Sequence, residues 1–83
     1  AEKISVAQRM NQVFTTVKQA ATRINDLFAG QCTRDELVTT FLAVLELTKH
    51  QAIAVHQDEL FGPIILVEGS KSEQYRANKP SQD

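Results

Sequence analysis

Between Thr33 and Val67 the spacing of apolar residues changes from the period of a helix to that of a strand, which limits the chain to folds where a long helix feeds a hairpin. Thr33-Arg34-Asp35-Glu36 is a capping box: the threonine oxygen accepts from an early helical N–H and the glutamate three residues on reaches back. Its acidic first turn suits the positive end of the helix dipole. The helix so started is expected to run to Lys49. At about 100° per residue, Leu37, Val38, Phe41, Leu42, Val44 and Leu45 fill one broad arc, with Thr39, Thr40, Ala43 and Glu46 opposite. The large apolar residues are therefore expected inside, and Leu47, outside their arc, on the surface. After Gln51, Ile53, Val55 and Gln57 alternate with Ala54 and His56 as in a half-buried strand. Asp58 to Gly62 makes the connection, Pro63 opens the next strand where its missing N–H does no harm, and Ile64 to Val67 returns.

The chain before this stretch reads as helical. Ser5-Val6-Ala7-Gln8 is a second capping box, and Val6, Met10, Val13, Phe14 and Val17 recur on one face of the helix it starts. Ala21 to Ile24 is a short extended link, Asn25 an N-cap for a helix of one or two turns, Gly30 a left-handed C-cap residue, and Gln31-Cys32 a tight turn. The order helix, link, helix, turn, long helix, hairpin is that of a winged helix-turn-helix: an α+β fold, mainly helical, with three helices and a small β-hairpin wing. Residues 1–67 make this domain. Residues 68–83 are polar, with Tyr75 their one large apolar side chain, and are expected to form a disordered tail.

An 83-residue chain forms one small domain with a modest core. Its net charge of −1 gives no overall attraction to nucleic acid or anionic membrane. The longest unbroken apolar run, Phe41 to Leu45, falls far short of the roughly 20 residues that span a bilayer, and no apolar signal-peptide core follows Ala1. The start at Ala1 rather than Met suggests a fragment of a longer protein. Lone Cys32 has no partner for an internal disulfide, which points to a reducing cytoplasm. Cys32, His50 and His56 lack the spacing of a metal site or of a nucleophile and its base, and three glycines make no phosphate loop. No enzyme activity, metal or cofactor is expected.

A DNA-reading helix requires basic or amide side chains toward the groove. Between Arg34 and Lys49 the long helix carries no basic residue, and the hairpin connection carries Asp58 and Glu59, which repel phosphate. A DNA-binding regulator, with Arg34 at the helix start as its reader, is thus the second choice. A protein interface fits better: Thr40, Ala43 and Leu47 on the presumed outer side of the helix, with Leu60, Phe61 and Ile65 from the hairpin.

The stretch Thr33 to Leu66 closely resembles the C-terminal domain of bacterial segregation and condensation protein A, a kleisin family. The residues that carry the likeness are Phe41-Leu42-Ala43-Val44-Leu45-Glu46-Leu47, Lys49 and Gln57-Asp58-Glu59-Leu60-Phe61-Gly62, supported by Ile4-Ser5-Val6 to Met10 and Arg23-Ile24…Leu27-Phe28. Pro63 stands where the family usually has Asp, and Thr48 where an aliphatic residue is common. The resemblance implies a winged helix that binds the ATPase head of an SMC subunit, within an assembly for chromosome condensation and segregation. It also implies recruitment of segregation and condensation protein B by another region of the full-length protein, and a cytoplasmic, nucleoid-associated location. No sequence-specific DNA binding and no membrane association are implied.

Overall fold

The computed structural model describes residues 4–30 and 33–77. In chain order these form α1 (Val6–Gln19), β1 (Thr22–Arg23), α2 (Ile24–Ala29), α3 (Arg34–Lys49), β2 (Ile53–His56), β3 (Ile65–Glu68) and α4 (Ser72–Ala77). The strands form one antiparallel sheet in the order β1-β3-β2. Small and α+β, the arrangement is consistent with a winged-helix-like fold.

Both capping boxes are formed. The Gln8 N–H donates to Ser5 Oγ at 3.1 Å and the Ser5 N–H to Gln8 Oε1 at 2.9 Å; the Glu36 N–H donates to Thr33 Oγ1 and the Thr33 N–H to Glu36 Oε1, each at 3.1 Å. Each box satisfies two backbone donors that have no partner within the helix. From α1, Met10, Val13, Phe14 and Val17 are buried, the stripe that their spacing predicts.

Helix α3 is turned about its axis relative to the sequence expectation. Its buried residues are Thr40, Ala43, Val44 and Leu47, whereas Leu37, Val38, Phe41, Leu42 and Leu45 are exposed. Of the expected inner arc only Val44 is inside. Thr40, Ala43 and Leu47, expected on a binding surface, are 1%, 0% and 0% exposed and belong to the core. The physical reason lies in α1, which packs on α3 more extensively than any other two elements pack together. The distance between packed helices follows the side chains at the contact, and Ala43 and Thr40 are the small residues that let α3 come close to the Met10, Val13 and Val17 stripe. Burying Leu47 there contributes about 1.5–3 kcal/mol.

The end of α3 sets the course of the hairpin. The Gln51 N–H donates to the Thr48 carbonyl and the Ala52 N–H to the Leu47 carbonyl, both at 2.9 Å, the hydrogen-bond pair of a Schellman motif. Gln51, at φ 62°, takes the left-handed position that glycine usually fills. Ala52 and Leu47, both fully buried, supply the apolar contact that accompanies the motif. In β2 and β3, Val55 stands opposite Leu66 and Ile53 opposite Glu68, so these four side chains share a sheet face. Ile53 and Leu66 are buried beneath the helices; Val55, two residues further on, is 55% exposed beyond their cover.

Other expectations are also corrected. The link before α2 is a strand: Thr22 pairs with Leu66 and Arg23 with Ile65, making β3 the central strand of three rather than one arm of a hairpin. Helix α2 is capped at Arg23, so Asn25 lies inside it, and Gly30 ends it at φ −88° rather than in the left-handed region. The expected turn at Gln31-Cys32 falls outside the described residues. Ile64 precedes the return strand. The tail expected to be disordered is folded as far as Ala77, because β3 continues to Glu68 and α4 follows, with Tyr75 only 8% exposed against Phe14; residues 78–83 lie outside the described residues.

Candidate protein-binding surface

Helix α3 is apolar on both of its broad sides. The buried side is covered by α1 and the sheet. On the other, Leu37, Val38, Phe41, Leu42 and Leu45 fall within an arc of about 140° at the helical repeat of about 100° per residue, and all are exposed, Phe41 by 52%. A helix with apolar residues nearly all round is normally buried. Here the described residues leave these five side chains 42–52% exposed. Singly exposed leucines are ordinary, whereas these five large apolar side chains lie together along one side of the helix.

The hairpin tip presents a second apolar group. Leu60 is 82% exposed and Phe61 92%. The tip is braced from within: the Gly62 N–H donates to the Glu59 carbonyl at 2.8 Å, and Gln57 Nε2 donates to the Gly62 carbonyl at 2.9 Å. Phe61 has φ 65°, a left-handed conformation that is an outlier for a bulky aromatic residue. A strained backbone that holds an aromatic ring out in solvent gains the fold nothing by packing, and such strain tends to collect at binding and switch sites.

Of the residues expected at a binding surface, Leu60 and Phe61 are exposed at the tip. Ile65 is half-buried on the face of β3 that it shares with its partners Arg23 and His56. Thr40, Ala43 and Leu47 lie in the core. The exposed α3 stripe differs from the sequence expectation because residue size alone points these side chains inward. The small residues Thr40 and Ala43, seven and four positions before Leu47, are the signal for the opposite orientation.

The electrostatics of this surface are mild. No basic residue lies among the exposed apolar side chains of α3, which are bounded by Arg34 and Lys49. At the tip, His56 Nε2 and Asp58 Oδ1 are 2.7 Å apart; near the end of α3, His50 Nε2 lies 3.4 Å from Glu46 Oε1. Among the described residues no group of three or more His, Cys, Asp or Glu could hold a metal ion, and no helix is long and apolar enough to cross a membrane.

Fold and surface together define a small α+β domain of winged-helix-like form that leaves one face of its longest helix uncovered. Residues 1–67 match the family described as segregation and condensation protein ScpA. The chain is 48% identical over 69 residues to segregation and condensation protein A of Lactococcus lactis subsp. cremoris MG1363, covering 80% of this chain and 28% of that protein. With the Bacillus velezensis protein of the same name it shares 44% over 73 residues, covering 86% and 28%, and with that of Bacillus subtilis 168 it shares 41% over 73 residues, again 86% and 28%. The chain belongs to the ScpA segregation and condensation family. It spans a little over a quarter of the length of these relatives.

Proposed function

We propose that this chain is a non-enzymatic docking module of a bacterial chromosome segregation and condensation complex. Its winged helix-turn-helix binds the ATPase head of an SMC subunit and so closes one side of the ring. The observation that carries this reading is the uncovered apolar stripe of α3, Leu37 to Leu45, with Leu60 and Phe61 at the wing tip as a second contact. Family membership supports the role in segregation and condensation, and the known relatives are named for that process. Segregation and condensation protein B is a partner of the complex through regions of the longer protein. The module works in the cytoplasm, at the nucleoid.

A DNA-binding regulator has less support. The exposed side of α3 is apolar where a reading helix carries hydrogen-bonding and basic side chains, and Asp58 and Glu59 are exposed beside the tip.

The test is co-purification of this chain with an isolated SMC head domain, followed by titration of the pair. A stoichiometric complex is expected, its affinity nearly independent of salt. The absence of a complex, or tight and steeply salt-sensitive binding to duplex DNA instead, would overturn the reading.

A further inference from the structure

Helix α4 is six residues long, well below the ~12–15 at which an isolated helix becomes even marginal in water, so it persists only through what it docks against. Ser72 and Tyr75 are 7% and 8% exposed, whereas Glu73, Gln74 and Arg76 are exposed. The apolar anchor is the Tyr75 ring on Phe14. The polar anchors are Ser72 Oγ, which donates to Glu68 Oε2 at 3.3 Å, and Glu73 Oε2, 3.3 Å from Lys18 Nζ with its side chain 77% exposed. An ion pair so open to water holds weakly and is screened by salt. Where α1 and α3 pack extensively on each other, α4 packs less on any element than the two-residue β1 does on β3.

The turn that leads into α4 is tied to the end of α3. The Gly69 N–H donates to the Ala52 carbonyl and the Lys71 N–H to the Gln51 carbonyl, both at 2.9 Å, and Ser70 Oγ donates to Gln51 Oε1 at 3.1 Å. Gln51 is the residue at φ 62° that closes α3, and a residue other than glycine keeps such a conformation only where its surroundings over-determine it. We propose that α4 is a strap: it opens as a unit while α1, α3 and the sheet stay folded, and when closed it holds the end of α3 in its capped geometry. Opening parts Tyr75 from Phe14 and Glu73 from Lys18, uncovers the Phe14 ring, and slackens the turn that bonds Gln51 through its carbonyl and its side chain. The link is reciprocal, so whatever steadies the last turn of α3 also favours the closed strap. The device acts on the helix that carries the exposed apolar stripe, and it holds whether or not that stripe docks on an SMC head.

The experiment is native-state hydrogen exchange of the ¹⁵N-labelled chain, followed by NMR at urea concentrations below the unfolding transition. The Tyr75 and Lys71 amides should exchange at least tenfold faster than those of Val13 and Val44 once intrinsic rates are divided out. Their rates should be nearly independent of urea, because a local opening exposes little surface, while those of Val13 and Val44 climb with urea as global unfolding does. Tyr75→Leu, which keeps an apolar side chain and removes the ring, should speed the amides of residue 75, Lys71 and Gln51 together, by at least threefold. Glu73→Gln, at an exposed position, should move the same three amides in the same direction by a smaller factor, and it costs the fold little. Exchange of Tyr75 and Lys71 with the urea dependence of Val13 and Val44 would overturn the strap, because α4 would then open only when the domain unfolds. A faster residue-75 amide with Gln51 and Lys71 unchanged in both variants would overturn its hold on α3.

Discussion

The rings of Phe14 and Tyr75 lie with centroids 4.8 Å apart and planes inclined at 58°, which fastens the segment after the sheet to the first helix. A polar pair of contacts backs this up: Lys18 Nζ, one turn along α1, sits 2.6 Å from Glu68 Oε2 and 3.3 Å from Glu73 Oε2. Hydrogen bonding to Lys18 holds the Glu68 carboxyl below its usual range, and the same bond raises Lys18. The folded unit therefore extends past β3 into α4.

Tyr75→Ala should cost about 3 kcal/mol, because it removes a buried aromatic ring and leaves Phe14 uncovered. Tyr75→Phe should be neutral or slightly stabilising, since the Tyr75 hydroxyl is buried without a partner. Burial also pushes the Tyr75 phenol above its ordinary 10.0. The folded protein thus holds this proton more tightly than the unfolded chain does. The contribution is complete below about pH 10 and is lost as pH rises through the folded value. Urea midpoints between pH 8 and 11 should fall at the alkaline end for the parent, and fall less for Tyr75→Phe.

Gln51 and Gly69 hold the next contact. A Cβ on Gly69 would collide with the Gln51 carbonyl and come within 2.9 Å of the Ala52 carbonyl carbon, where the Gly69 N–H donates to the Ala52 carbonyl and the Lys71 N–H to the Gln51 carbonyl, both at 2.9 Å. Gly69→Ala should therefore destabilise by about 1–3 kcal/mol, the cost of forcing atoms into an occupied space. Gln51→Gly should act in the opposite direction, gaining about 0.5–1 kcal/mol by relieving the left-handed conformation. Denaturant unfolding of the two variants checks both signs.

What was legible in the sequence depended on how much each residue's neighbours in the chain decide. Ser5 with Gln8 and Thr33 with Glu36 cap their helices through partners three residues away, and the Met10 to Val17 stripe has polar residues around it, so its direction is unambiguous. Helix α3 has no such contrast. With apolar residues on both broad sides, its orientation is set by the close approach of α1, which selects Thr40 and Ala43, and the spacing of the large apolar residues does not report it. Thr22-Arg23 is a strand only because β3 lies beside it. Tyr75 is one apolar residue without a period, and its burial depends on Phe14, sixty-one positions earlier. Leu60 and Phe61, expected at a binding surface, stand exposed at the tip, whereas the exposure of the α3 stripe follows from a helix orientation that the spacing of the large apolar residues does not report.

Two leucines on α3 separate folding from binding. Leu47 is fully buried and Leu45 is 49% exposed. Leu47→Lys should unfold the domain, since it places an unpaired ammonium in the core. Leu45→Lys should keep the circular dichroism spectrum and the unfolding midpoint within about 0.5 kcal/mol of the parent, yet weaken binding to the SMC head at least tenfold. Parent-like affinity in a folded Leu45→Lys would remove the α3 stripe from the interface.

Phe61 offers the sharpest separation, because its effects on stability and on binding should have opposite signs. The residue is 92% exposed and holds φ 65°, so its ring contributes little to the core while its backbone bears a conformation costing about 1–2 kcal/mol in an L-residue. Phe61→Gly relieves that cost and removes the ring. If the ring inserts into a partner, as aromatic anchors at interface centres do, the variant should unfold at higher denaturant than the parent and bind the SMC head at least tenfold more weakly. A variant that is more stable and binds equally well would make the strained tip a feature of the hairpin alone. One that is less stable would mean that Phe61 packs against its own chain in solution, and the wing tip would then be withdrawn from the binding surface.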